Sequence, residues 1–274
     1  MDQRPIGVFD SGVGGLTVLR ALKRALPAES TVYLGDTARV PYGTRSAHTV
    51  VKYAINNART LAAQGDIKAL VVACNTVSAV ALEALAAEPA LRGIPVLGVI
   101  EPGARAAVAA SRGGSIAVLG TAGTVRSGAY PRAVAALAPS ARTQAIACPL
   151  LVPLVEEGWT SGEVPALVVA QYLKALAPDV DTVVLGCTHY PLLRPVLRAA
   201  LPERIALVDG AEATARELAE LLAARGWAAP AGTAARHRLL VTDAPEQLEK
   251  LGDAFLGERV VAQSVELVDV LMTA

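Results

Sequence analysis

Short apolar runs alternate with longer stretches of helical spacing along most of the chain. Ile6–Asp10 is an apolar run stopped by Ser11-Gly12-Val13-Gly14-Gly15, and Leu16–Leu26 then carries apolar residues at three- and four-residue intervals. The same pattern predicts strands at Thr31–Gly35, Ala69–Ala73 and Pro95–Ile100, the last closed by Glu101-Pro102-Gly103. It predicts helices at Ala47–Gln64 and Val77–Ala87, and a loop at Thr37–Thr44 holding Pro41-Tyr42-Gly43. Further on, strands are expected at Ser115–Leu119, Thr143–Ala147, Thr182–Gly186 and Ile205–Val208. A helix follows the Gly120–Thr124 turn, and others are expected at Val164–Leu176, Leu192–Ala200 and Ala213–Ala224. Cys148–Gly158, with Val152-Pro153, reads as a loop. Strands alternating with helices of this length imply parallel sheets covered on both faces.

The order repeats. Ile6-Gly-Val-Phe aligns with Ile116-Ala-Val-Leu at an offset of 110, and Val40-Pro41 with Val152-Pro153 at 112. Cys74 aligns with Cys187 at 113 and Glu101 with Glu212 at 111. Four matches in order at nearly constant offset indicate two similar α/β units. The expected fold is α/β, with two pseudo-symmetric three-layer domains of mainly parallel sheets and an active site in the cleft between them. The expected division is 1–98 plus 208–274 for the first domain and 99–207 for the second. Residues after Ala235 have no counterpart in the first half; His237–Thr242, Pro245–Phe255 and Glu258–Val265 read as a strand, a helix and a strand docked on one unit.

Composition narrows the function. A chain of 274 residues can bury two such cores. Apolar residues make up 53% but aromatics only 4%, so Ala, Val and Leu must fill them. Lys and Arg number 25 and so do Asp and Glu, without the basic clustering of a nucleic-acid footprint. No apolar run approaches the ~20 residues of a membrane span. The start enters a strand at once, without the features of a signal peptide, so a cytoplasmic location is expected. Three cysteines are too few for a disulfide framework, and in a reducing compartment they are free thiols. No C-x-x-C occurs, and His48, His189 and His237 lack ligand spacing, so no metal is expected.

In an open parallel sheet, ligands bind beyond the carboxyl ends of the strands. Asp10, Ser11, Asp36, Cys74, Thr121 and Cys187 all fall at predicted strand ends. If the two units face each other, Cys74 and Cys187 reach one cleft from opposite sides. Each precedes a predicted helix, whose N-terminus favours a thiolate. Asn75-Thr76 and Thr188-His189 are cap-forming or carboxylate-binding types. A lone Cys is more often a small buried hydrophobe. Duplication and position argue otherwise for Cys74 and Cys187, whereas Cys148, before Pro149 and matched by Asp36, keeps the bland reading. Two opposed thiols suit inversion of a carbon centre: one takes a proton and the other returns one. A redox couple would need Cα atoms within ~7 Å. The glycine stretch is a poor dinucleotide site, because Thr17 stands where the third glycine belongs and Asp10 would face the pyrophosphate. It reads instead as a nest of N–H groups, with Asp10 and Ser11 aimed at an ammonium or a thiol.

At these residues the chain resembles the glutamate racemases of the cofactor-independent aspartate/glutamate racemase superfamily. The matching motifs run from residue 6 to about 220. They are Ile6-Gly-Val-Phe-Asp-Ser-Gly-Val-Gly-Gly-Leu, Gly35-Asp-Thr-Ala-Arg-Val-Pro-Tyr-Gly, Ala73-Cys-Asn-Thr and Gly98-Val-Ile-Glu-Pro-Gly. Cys148-Pro-Leu-Leu-Val-Pro-Leu-Val-Glu and Leu185-Gly-Cys-Thr-His-Tyr-Pro-Leu complete the set. The resemblance implies two-base interconversion of L- and D-glutamate without metal or pyridoxal cofactor, supplying D-glutamate for peptidoglycan. It implies Cys74 and Cys187 as the acid/bases, with Asp10 assisting Cys74 and Glu156 and His189 assisting Cys187. Asp10, Ser11, Pro41, Tyr42, Gly43, Asn75, Thr76, Thr121, Thr124, Thr188 and His189 would hold the substrate, and a homodimer is implied. Without the resemblance, His189 could be a helix cap, Glu156 a solvated charge, Asp10 a turn residue and Tyr42 a turn aromatic. A racemase of another small amino acid such as aspartate, or a carboxylate-binding protein without turnover, also fits the residues.

Overall fold

The computed structural model describes residues 2–270. The strands are β1 (Ile6–Asp10), β2 (Thr31–Gly35), β3 (Ala69–Val72), β4 (Val96–Gly98), β5 (Ser115–Gly120), β6 (Arg142–Ala147), β7 (Thr182–Gly186), β8 (Ala206–Asp209), β9 (His237–Val241) and β10 (Val265–Leu267). In the first part of the chain the helices are α1 (Leu16–Ala25), α2 (Ala47–Gln64), α3 (Asn75–Ser78), α4 (Leu82–Ala86) and α5 (Ile100–Ala110). Then come α6 (Ala122–Ser127), α7 (Ala129–Leu137), α8 (Leu151–Glu156), α9 (Glu163–Leu173), α10 (Arg194–Ala200), α11 (Ala211–Ala224) and α12 (Pro245–Leu256).

Two sheets result, both parallel at every described pairing. One has the order β10-β9-β2-β1-β3-β4 and the other β6-β5-β7-β8. Without its last two strands, the first sheet has the connectivity of the second, which is the repeat seen as topology. β9 pairs with β2, and β10 with β9, so the C-terminal extension widens the first sheet.

Burial on both faces explains why these strands read as unbroken apolar runs. All five residues of β1, β2 and β7 are buried. Ile6 and Val8 point into a core shared with α1, α11 and α12, while Phe9 points into one under α2. The first of these cores continues into the second sheet through Ala117, Leu119, Val183 and Leu185. The opposite face of that sheet packs Ile116, Val118 and Val184 against α5 and α7. Each fully buried Val, Leu or Ile contributes about 1.5–3 kcal/mol. α1 presents Leu16, Val18, Leu19 and Leu22 to the interior and closes with Lys23 and Arg24, where cations suit the helix dipole. Ser46 caps α2 by accepting from the Thr49 amide.

Four expectations need correction. The helix expected over Val77–Ala87 is two short helices, α3 and α4. The Ser78 hydroxyl donates to the Val72 carbonyl and accepts from the Val99 amide, which ties α3 to the strands beside it. Glu101-Pro102-Gly103 does not close a strand; it lies in the first turn of α5. Likewise the Cys148–Gly158 segment is not all loop, since α8 starts at Leu151 and holds Pro153 in its first turn. A first-turn amide has no helical acceptor, so proline is tolerated there. Val40-Pro41, a cis peptide in a turn, and Val152-Pro153 therefore match in sequence but not in conformation. Finally, the last strand is Val265–Leu267, not Glu258–Val265, and follows a short 3-10 turn.

Candidate active site

Asp10 ends β1 and Cys74 lies just beyond β3, its neighbour in the first sheet. Asp10 is fully buried. Its Oδ2 accepts from the Gly12 amide at 3.0 Å, while Oδ1 has no protein partner. Burial pushes its carboxyl upward, opposed by the nearby His189 and by the amides of Gly15, Gly12 and Ser11. Cys74 Sγ donates to Ser11 Oγ at 3.5 Å. Burial, reinforced by the Asp10 carboxylate, pushes the Cys74 thiol up to about 12. This corrects the expectation that the following helix lowers it. α3 has four residues, and its weak dipole loses to the exclusion of water.

Cys187 follows β7 in the second sheet, with His189 and Glu156 beyond it. His189 Nδ1 lies 3.9 Å from Cys187 Sγ, and Nε2 lies 3.0 Å from Glu156 Oε1. Burial alone would lower the imidazole, but its bonds to Cys187 and Glu156 prevail and push it up to about 10. Phe255, from α12, meets the imidazole edge-on at 5.1 Å between ring centroids. The two sides approach closely at Gly14, where a Cβ would lie 2.3 Å from Thr188 Oγ1 and 2.4 Å from His189 Nδ1. Thr17 Oγ1 stitches them further, donating to the carbonyls of Gly14 and Thr188.

The rim is built from both halves. Thr76 Oγ1 lies 2.9 Å from Thr121 Oγ1 and 3.4 Å from Thr124 Oγ1. Thr121 also caps α6 by accepting from the Thr124 amide. Gly43 sits against Thr121, where a Cβ would approach to 2.8 Å. Tyr42 is buried, its hydroxyl donating to Asp36 and its ring tilted against Tyr53. Pro41 is exposed. Tyr42 thus anchors the turn through its hydroxyl and its ring. Among the described residues no three His, Cys, Asp or Glu are placed to hold a metal ion. Nor is any helix of the described residues long and apolar enough to cross a membrane.

The Asp/Glu/Hydantoin racemase family profile matches residues 6–218. The chain belongs to this family. It is 51% identical to a glutamate racemase of Geobacter metallireducens over 95% of both chains. Its fold superposes on a glutamate racemase isoform of Bacillus anthracis with TM-score 0.92 and 40% identity, covering 98% of each chain. A Francisella tularensis glutamate racemase in complex with D-glutamate matches with TM-score 0.90 and 34% identity, again over 98% of each.

Within this racemase fold, the structure gathers Asp10, Ser11, Cys74, Asn75 and Thr76 on one side and Cys187, Thr188, His189 and Glu156 on the other. Cys148 is buried behind this group, with Sγ on the Ile146 carbonyl at 3.5 Å, and burial, reinforced by nearby Cys187, pushes its thiol up to about 12. Several contributors escaped the sequence reading. Asp36, read from the sequence as a strand end and as the counterpart of Cys148, accepts from Tyr42, Arg39, Asn57 and Thr242. Asn56-Asn57, two amides inside an apolar helical pattern, were the available signal for that network. Tyr130, whose hydroxyl donates to Asn75 Oδ1 at 2.8 Å, lies outside every motif.

Proposed function

We propose that this racemase interconverts L- and D-glutamate by a two-base mechanism in which Cys74 and Cys187 work on opposite faces of the α-carbon. The observation that carries the reading is the pair of buried thiols. They lie beyond equivalent strands of the two sheets, and each has its own polar partners. A thiolate on one side takes the α-proton, so that C–H breaks as S–H forms. The thiol on the other side gives its proton to the opposite face, and the two cysteines end with exchanged protonation states. Positioned general acids and bases of this kind typically contribute about 10²–10⁴-fold each.

The partners divide the work. Cys74, held as a neutral thiol by burial, is equipped to donate. On the other side the His189 imidazolium faces the Cys187 sulfur, placed to exchange a proton with it, and Glu156 orients the ring. Asp10, with a free buried oxygen, faces the substrate ammonium or the Cys74 proton. Ser11, the Gly43 turn, Asn75, Thr76, Thr121, Thr124 and Thr188 bind the carboxylates. The units that carry the two sheets form the two jaws, with the expected boundary at 208 moved past β8, whose Val208 and Asp209 pair with β7 in the second sheet. Product D-glutamate would serve peptidoglycan synthesis in the cytoplasm, from a homodimeric enzyme acting without a cofactor.

The test is incubation of each enantiomer of glutamate and aspartate in D2O, with chelator and without added cofactor. Circular dichroism and α-deuteration are followed. Loss of optical signal from both glutamate enantiomers, with deuterium at the α-carbon of the product, is expected. Racemisation of aspartate alone would reassign the substrate. No turnover of either amino acid would leave only a carboxylate-binding protein.

A further inference from the structure

Tyr130 spans the cleft from behind. Its ring is buried in the core of the second sheet, among Ile100, Ala104, Val118 and Val184. Two glycines make room for it. A Cβ at Gly186 would lie 3.2 Å from Tyr130 Cε2, and one at Gly103 would lie 3.1 Å from its hydroxyl oxygen. Gly186 immediately precedes Cys187, and Asn75 immediately follows Cys74. One rigid side chain, seated against the residue before one thiol, thus bonds the residue after the other.

We propose that Tyr130 is a positioning residue for the racemase reaction: its O–H donates to Asn75 Oδ1, so that the Asn75 Nδ2 donors are left to face a substrate carboxylate. The inference rests on the reading of Asn75 as a substrate-binding residue. An amide can turn over by half a rotation, and with Oδ1 toward the cleft it would repel a carboxylate instead of binding it. The buried Tyr130 hydroxyl gives its proton to Asn75 Oδ1, and an amide turned the other way would take that acceptor from it, which penalises the turned orientation; burial also pushes the phenol above its ordinary range, so the proton stays on it. Asn75 keeps 7% exposure, and its Nδ2 is not among the buried polar atoms left without a partner. Tyr130 acts on binding, not on the proton transfers, because it reaches neither sulfur by a hydrogen bond.

The experiment is a double-mutant cycle on the full chain with both glutamate enantiomers. Tyr130→Phe removes only the hydroxyl and keeps the ring between Gly103 and Gly186. It should raise KM about 5- to 20-fold while kcat stays within about 3-fold, the signature of binding lost equally from ground and transition states. Asn75→Ala should raise KM at least as much. In the Asn75→Ala background, Tyr130→Phe should change KM by less than about 2-fold, since the group it orients is gone. An equal KM factor in both backgrounds would overturn the proposal, because Tyr130 would then act by a route independent of Asn75. A raised KM for Asn75→Ala with a silent Tyr130→Phe would overturn the positioning role alone. An unchanged KM for Asn75→Ala would remove the binding role of Asn75, and the proposal with it.

Discussion

His189 Nε2 lies 3.0 Å from Glu156 Oε1, which makes the imidazole a bridge between a partly exposed carboxylate and Cys187. Both ring nitrogens donate only when the ring is charged. Pairing at both ends is why the imidazole stays protonated to about 10 despite burial. Its folded value is therefore raised above the unfolded one of about 6.5. The stability this adds is fully present below pH ~6.5 and is lost as pH rises through about 10. Urea unfolding of wild type and His189→Gln at pH 6, 8 and 10 should show a stability gap that narrows steadily with pH. A gap that is constant over that range would contradict the bridge.

Asp10 carries the opposite cost. Its folded value is raised by burial, so the ionised form is disfavoured in the folded state. The linked stability is present below the unfolded value of about 4 and is lost at higher pH. Asp10→Asn mimics the neutral acid and should hold or raise the thermal midpoint relative to wild type as pH goes from 4 to 8. Turnover should nevertheless fall by about 10²–10⁴-fold, the usual worth of a positioned acid or base. A midpoint that drops at pH 8 would show that the ionised carboxylate stabilises the fold.

Gly14→Ala tests the approach of the two sides. The added methyl would lie within 2.5 Å of Thr188 Oγ1 and of His189. The second half of the site must shift, and a displacement of about 1 Å can cost about 10²-fold in rate. The expected result is a loss of that size in kcat/KM, with the far-ultraviolet dichroism unchanged. Near wild-type activity would mean that the two sides are held less closely.

Cys74→Ala and Cys187→Ala should each abolish racemisation in both directions while leaving a folded protein. On the proposed two-base mechanism each thiol serves one face of the α-carbon, so the loss of either stops both directions. If either single variant kept near wild-type turnover, the two-base assignment would fall.

Cys148→Ser distinguishes this third buried thiol from the two proposed acid/bases. Its sulfur donates to the Ile146 carbonyl, a bond a hydroxyl can also make. kcat/KM should stay within about 2-fold, and any loss of stability should be about 1 kcal/mol. A large fall in activity would place Cys148 in the chemistry.

Much of the fold was legible in the chain because parallel strands buried on both faces are written as unbroken apolar runs. β1, β2 and β7 begin and end where the apolar pattern does, and so does α2 between its Ser46 cap and Gly65. The misread segments are those where a distant group decides a local matter. Ser78, at the end of α3, ties the helix to Val72 and Val99 instead of continuing it to Ala87. Pro102 and Pro153 looked like stops, yet each falls in a first turn, where the missing amide costs nothing.

The site divides in the same way. The chain alone determined that Cys74 and Cys187 are equivalent positions of a repeated unit at strand ends, because repetition and periodicity are one-dimensional properties. Only the tertiary structure decided what stands behind each thiol: buried Asp10 and Ser11 for one, the His189–Glu156 bridge for the other, and Tyr130 reaching across to Asn75. Proton affinity depends on excluded water and on partners drawn from distant segments, and local pattern encodes neither. For Cys74 this reversed the expected direction: burial beside a carboxylate outweighs a four-residue helix.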